Sequence, residues 1–198
     1  YIRSSQVFRD PSAWYHIVAV YDSTNATAAN RLNIYVNGVE CSYSTDNRAS
    51  YQNQYSAWNS NSTVNYIGTE SGGPYFNGYI TEFNSIDGQA LTPSSFGTTD
   101  AATGAWIPMP YTGTYGANGF YLNFKDNTST TTLGYDYSGN ANNWTTNNIS
   151  LTSGSTYDSM LDVPTPWVGY STTTDTSAVT RGNYATLASN APGIGTIS

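Results

Sequence analysis

Charge is what this sequence has least of: 10% of its 198 residues are Asp, Glu, Lys or Arg, against ~25% in an average soluble domain. The six basic residues, Arg3, Arg9, Arg31, Arg48, Lys125 and Arg181, stand singly among thirteen acids, for a net charge of -7. Sequence-independent nucleic-acid binding needs clustered cations that displace phosphate counterions, so no nucleic-acid partner is expected. No apolar run approaches the ~20 residues of a spanning helix, and a single lysine offers little to an anionic membrane, so no membrane insertion is expected either. Cys41 is the only cysteine, which excludes an intrachain disulfide and a cysteine zinc site and leaves a small buried strand residue as its expected role. His16 is the only histidine. It lies in an apolar run beside Trp14 and Val18, so it is expected to pack rather than to catalyse.

What the sequence has instead is small polar residues and rings: Thr 28, Ser 24, Asn 21 and Tyr 18. Thr and Tyr suit a pleated surface while Asn, Ser and Gly serve turns, so an all-β chain is expected and a helical bundle is excluded. At ~150 residues per domain the length allows one complete domain or two incomplete ones. Residues 14 to 21 alternate Trp14, His16, Val18 and Val20 against Tyr15, Ile17, Ala19 and Tyr21, the pattern of a strand covered on both faces. Leu32, Ile34 and Val36 lead to Asn37-Gly38 and then Val39, which predicts a hairpin over 31–43, since both central residues of a type I′ turn need positive φ. Residues 64–69 and 79–86 read as two more strands, with a bend at Gly72-Gly73-Pro74. The expected core is Trp14, Val18, Leu32, Ile34, Val36, Ile67, Ile80 and Phe83. Thr92 before Pro93 predicts one short helical turn.

Further motifs extend this pattern. Trp14-Tyr15-His16-Ile17-Val18, Ile34-Tyr35-Val36-Asn37-Gly38, Ile67-Gly68, Tyr75 to Glu82 and Ala90-Leu91-Thr92-Pro93 together resemble the second half of a laminin-G-like, concanavalin A-like domain. The resemblance covers about residues 10–97 and implies an antiparallel jelly-roll sandwich, here incomplete and followed by an irregular connector. The stretch from Trp106-Ile107-Pro108 through Gly119-Phe120-Tyr121-Leu122, Asp136 to Thr145 and Met160 to Thr165 is similar to a connector of large structural proteins of marine bacteriophages. The organisation expected is thus the C-terminal half of a sandwich at 1–97, a Pro/Gly/aromatic connector at 98–118, a short β segment entering a second module at 119–170, and an extended Ser/Thr/Gly-rich tail at 171–198.

Candidate chemistry is thin. Laminarinase relatives of this fold carry two glutamates flanking an aspartate on one strand, and the nearest run here is Glu82-Phe83-Asn84-Ser85-Ile86-Asp87. Asn84 replaces the central acid, so no catalytic residue is assigned, and no pair among Glu82, Asp87 and Glu70 is expected at glycosidase separation. Asp126, Asp136 and Asn140, with Asn127 and Asn142, are oxygen donors of the kind calcium takes, but their spacing is not that of an EF-hand and such residues routinely bond their own turns; no cofactor is assigned. Tyr51, Tyr55 and Trp58 are the candidate sugar-stacking rings, weighed against self-packing or subunit contact. The five Asn-x-Ser/Thr sequons, at Asn25, Asn61, Asn127, Asn143 and Asn148, are what this composition produces by chance.

The expectation is a non-enzymatic structural component of a bacteriophage particle (an appendage, fibre or capsid-decorating protein) located in the virion. Its partners would be other virion proteins or copies of itself, with host-surface glycan recognition as an added role. The alternatives are a carbohydrate-binding adhesion module on a bacterial surface and a degenerate glycoside hydrolase. Because strand 14–21 is apolar on both faces, other polypeptide is expected to cover it.

Overall fold

The computed structural model describes residues 1–10, 12–58, 63–71 and 73–159, and the backbone of 179–181 and 184–186. The expected tail, the run from Met160 to Thr165, Asn61 and Gly72 of the expected bend lie outside these, apart from the short backbone segments.

Every strand pairing is antiparallel. Strand β1 (Ile2–Ser4) precedes β2 (Ile17–Tyr21), β3 (Leu32–Val36), β4 (Val39–Glu40) and β5 (Tyr43–Asp46). Then come β6 (Phe83–Ser85), β7 (Gly97–Thr99), β8 (Trp106–Pro108) and β9 (Phe120–Leu122). A backbone hairpin of β10 (Val179–Arg181) and β11 (Tyr184–Thr186) ends the order. Among the described residues helix is minor: α1 (Thr130–Leu133) is one turn, and three short 3-10 turns include the one expected after Thr92, with Pro93 first.

The β3–β4 hairpin forms where Asn-Gly predicted it, with φ of 49° at Asn37 and 80° at Gly38. β2 pairs along the whole of β3, from Ile17 opposite Val36 to Tyr21 opposite Leu32. The regular strand starts at Ile17 rather than Trp14 because the His16 N–H donates to the Asn37 side chain, at 2.9 Å, instead of to a facing carbonyl. After β4 the Cys41 N–H still bonds Ile34 O (2.9 Å), and Cys41 is buried as expected. The chain then leaves to pair β5 with β1. The loop 22–30 is organised by buried Arg31, whose guanidinium donates to the carbonyls of Asn25, Ala26 and Ala49.

Two expected strands are corrected. Over 64–69 only a single bridge forms, Thr69 to Tyr75, around a turn closed by Gly73 N–H to Glu70 O (2.9 Å); Gly68 at φ 84° ends any regular extension. The strand expected over 79–86 shrinks to β6 because Glu82, at φ 52°, bends the backbone into the left-handed region just before it, a conformation that a residue with a Cβ adopts only at a cost of ~1–2 kcal/mol.

The core also sits elsewhere than periodicity placed it. Of the eight residues expected inside, Val18 is buried, Trp14, Leu32, Ile34, Val36, Ile67 and Phe83 are half-buried, and Ile80 is exposed. Ile17 is 62% exposed, so β2 is covered on one face only. The most deeply buried side chains, Phe120 and Leu122, belong to β9, with Leu133 of α1 beside them among the buried apolar residues. Alternation reveals which residues share a face; another layer must lie on that face before it is buried. β9 pairs with β6 in one sheet, Phe83 opposite Leu122 and Ser85 opposite Phe120, the rings of Trp58 and Trp144 lie against Phe120, and the 119–159 region is so tied to the residues before the connector. The connector itself opens as the β7–β8 hairpin, Gly97 opposite Pro108.

Candidate functional site

An open cleft of about 3840 Å³ has walls that include β2, the 66–70 and 75–81 segments, β6 and Tyr121. Small-ligand pockets run to ~300–1,000 Å³ and enclose their guest; this cleft is larger and open.

The polar centre of the cleft lies where β6 and β9 run side by side. In this register Asn84 faces Tyr121. The Tyr121 hydroxyl donates to Glu82 Oε2, and Lys125 Nζ pairs with Glu82 Oε1 at 3.1 Å. Tyr115 donates to Asn84 Oδ1 at 2.7 Å and lies nearly parallel to Tyr121, with ring centroids 6.3 Å apart. Burial, with lesser contributions from Tyr111, Asp136 and Glu82, pushes the Tyr115 phenol up to about 12. Burial and then the bond to Glu82 drive Tyr121 higher still. Both phenols are therefore locked as neutral donors, and the Glu82 carboxylate is held by one phenol and one ammonium. Asp87 is committed elsewhere: its Oδ2 accepts from both the backbone and side-chain nitrogens of Asn118, at 3.2 and 3.0 Å. Glu70 is exposed on its turn. As chemistry, the centre offers an ion-paired acid, two hydroxyls and an amide, a set suited to hydrogen bonding.

The three candidate sugar-stacking rings all border this cleft, in different settings. Tyr51 meets Tyr21 edge-on, at 5.9 Å, Tyr55 is fully exposed, and Trp58 is 41% exposed. Trp58 leans on Phe83, Phe120 and Trp144 and donates from Nε1 to Ser85 Oγ at 3.2 Å, so its ring closes the core over β9.

The candidate calcium donors separate into two local systems. Asp136 Oδ1 accepts from the Tyr121 and Ser138 N–H groups, both at 2.8 Å, and Oδ2 from Ser138 Oγ (2.8 Å) and the Asn142 N–H (2.9 Å). Burial pushes this acid up, but those four donors outweigh it and hold the pKa below the ordinary carboxylate value. Asn140 and Asn142 turn their amide hydrogens onto the carbonyls of Gly116, Ala117 and Gly119. The trio thus laces the loop before β9 to the loop after α1. Asp126 caps its own turn through Thr128 N–H and Oγ1 (3.1 and 2.6 Å), and Asn127 donates to the Tyr157 hydroxyl at 2.7 Å. Among the described residues no cluster of three His, Cys, Asp or Glu side chains has metal-binding geometry.

His16 packs as expected: Trp106 Nε1 donates to its Nδ1 at 2.9 Å, and burial holds its pKa below the ordinary imidazole value. Trp106, Tyr115, Tyr121 and Lys125 were not singled out by sequence reading. Tyr115, Tyr121 and Lys125 meet their partners where β9 is brought beside β6, and Trp106 meets His16 by a tertiary contact outside any ladder; no local signal exists for either.

Against known proteins, residues 1–96 match the family model Laminin_G_3, described as the concanavalin A-like lectin/glucanases superfamily. No curated protein and no solved structure matches the chain.

Proposed function

From the premise that residues 1–96 are a concanavalin A-like lectin/glucanase superfamily domain, we infer that the chain is a non-enzymatic structural module that works through protein–protein contact within a larger particle. The observation that carries this reading is the distribution of apolar surface. Ile17, Val39, Val64, Tyr75 and Phe76 are all exposed, two of them at 76% and 79%. Ile17, Tyr75 and Phe76 border the cleft, exposed apolar surface that gathers in this way marks a contact site, and the scarcity of charge agrees, because charge is depleted where a surface is buried against partners. The connector's similarity to bacteriophage structural proteins supports a virion appendage, fibre or decoration as the particle. Sedimentation velocity on the purified chain tests the contact role. Concentration-dependent self-association, or coassembly with particle proteins, is the expected result, and a stable monodisperse monomer that joins no particle component overturns it.

A carbohydrate-binding adhesion module, on a virion or a bacterial surface, is the second reading, and the exposed rings of Tyr55, Tyr75 and Tyr79 favour it, since such faces stack on sugars. Saturable binding of a glycan on an array, lost when Tyr75 and Tyr79 are both changed to Ala, would establish it over the first.

A further inference from the structure

The contact between His16 and Trp106 joins two parts of the chain that the β-ladders leave separate. His16 lies just before β2, and its backbone exchanges bonds with the β3–β4 turn: its N–H reaches Asn37 Oδ1 (2.9 Å) and its carbonyl receives the Asn37 N–H (2.8 Å). Trp106 opens β8 of the β7–β8 hairpin. Its indole ring fills a slot between that turn and the start of β7, where a Cβ added at Gly38 or at Gly97 would strike the ring. The ring cannot slide within this slot, so its N–H stays aimed at His16 Nδ1, 2.9 Å away.

An indole N–H only donates. His16 Nδ1 must therefore carry the lone pair, and the neutral ring holds its proton on Nε2. A second proton makes both imidazole nitrogens donors, and no rotation of the imidazolium restores an acceptor. Two donors then face each other in a half-buried site. We propose that His16 and Trp106 form an acid-released latch, which docks the β7–β8 hairpin onto the β3–β4 turn at neutral pH and frees it when His16 gains its second proton.

The surrounding charges leave this titration to His16 alone. Asp10 is bound by Ser12, and Asp22 by Thr24 and Asn25. Glu40, beyond the turn, faces Arg48 and Asn33, and Asp100, in the hairpin loop, accepts from Ala102 and Thr103. Burial lowers the His16 pKa, and none of these acids is among its causes; the Trp106 donor on Nδ1 disfavours the second proton in the same direction. The sign follows: the unfolded or undocked chain binds the proton more readily than the docked one, so docking is strongest above the ordinary histidine pKa and weakens as pH falls below it.

Amide hydrogen exchange on the full chain reads the latch directly. The Asp100 N–H, bonded to Ala105 O, and the Met109 N–H, bonded to Phe96 O, close the two ends of the hairpin. Between about pH 7.5 and about pH 5, a range that brackets ordinary histidine titration, their protection is expected to fall at least about tenfold after correction for intrinsic exchange. His16→Asn keeps an acceptor near the Nδ1 position without titrating, so its protection stays level with pH. Trp106→Phe keeps a ring but not the donor, and lowers protection at both pH values. Flat protection in the wild-type chain, or an acid response that survives in His16→Asn, overturns the proposal. Should His16→Asn fail to fold, an NMR titration of His16 decides: its midpoint moves up toward the ordinary value in Trp106→Phe, and an unmoved midpoint overturns the latch.

Discussion

Phe83 and Phe120 stack almost face to face, with ring centroids 5.8 Å apart and planes 4° from parallel. One ring stands on β6, before the connector, and the other on β9, after it. Trp58 and Trp144 close over this pair, 6.1 Å from each other, and Trp144 lies 4.9 Å from Phe120. Four rings from four distant stretches of chain thus share one small cluster, in which Phe120 and Trp58 each touch all the others, and Phe120 is the buried member.

Phe120→Ala removes that centre and is expected to cost about 3–5 kcal/mol, the range for large-to-small changes at buried aromatics. Tyr55→Ala, at a fully exposed position, should stay within about 0.5 kcal/mol of wild type. Urea unfolding followed by tryptophan fluorescence measures both, and equal effects from the two would contradict the placement of the core.

Asp136 is a structural acid, and its loss should appear in stability rather than in metal binding. Asp136→Asn turns an NH₂ toward donors on Ser138 and Asn142, a mismatch of about 1–3 kcal/mol. Its folded-state pKa is depressed, so the stability it adds is present above the unfolded carboxylate value of about 3.9 and is lost as pH falls through the lower folded value. Unfolding curves at neutral and acid pH should converge for wild type and Asp136→Asn as this window is crossed. Added calcium should leave the wild-type midpoint unchanged, and a calcium-dependent rise that disappears in Asp136→Asn would count against this assignment.

Glu82 is expected to act on its neighbours rather than on a substrate. Glu82→Gln removes the negative charge that helps hold the Tyr121 phenol up, so the spectrophotometric tyrosinate titration should shift to lower pH. Incubation of the wild-type chain with β-glucans should release no reducing ends. Hydrolysis abolished by Glu82→Gln would replace the contact reading with an enzymatic one.

What the sequence determined by itself lies within reach of local chemistry. The all-β composition, the Asn37-Gly38 hairpin with its register, the short turn after Thr92 and the packing role of His16 all follow from turn preferences and neighbouring side chains. The extent of strands 14–21, 64–69 and 79–86 was legible only in part, because positive φ at Gly68 and Glu82 and the Asn37 side chain at His16 interrupt an otherwise strand-like pattern. The tertiary structure alone decided that β9 pairs with β6, that Trp58 leans on Phe83, Phe120 and Trp144, that Asp136 knits two loops, and that Trp106 finds His16. The physical reason is that period-2 alternation orders the side chains of one strand into two faces. Which face is buried, and which acid meets which donor, depends on a partner brought in by long-range closure, and that information is carried by no window of neighbouring residues.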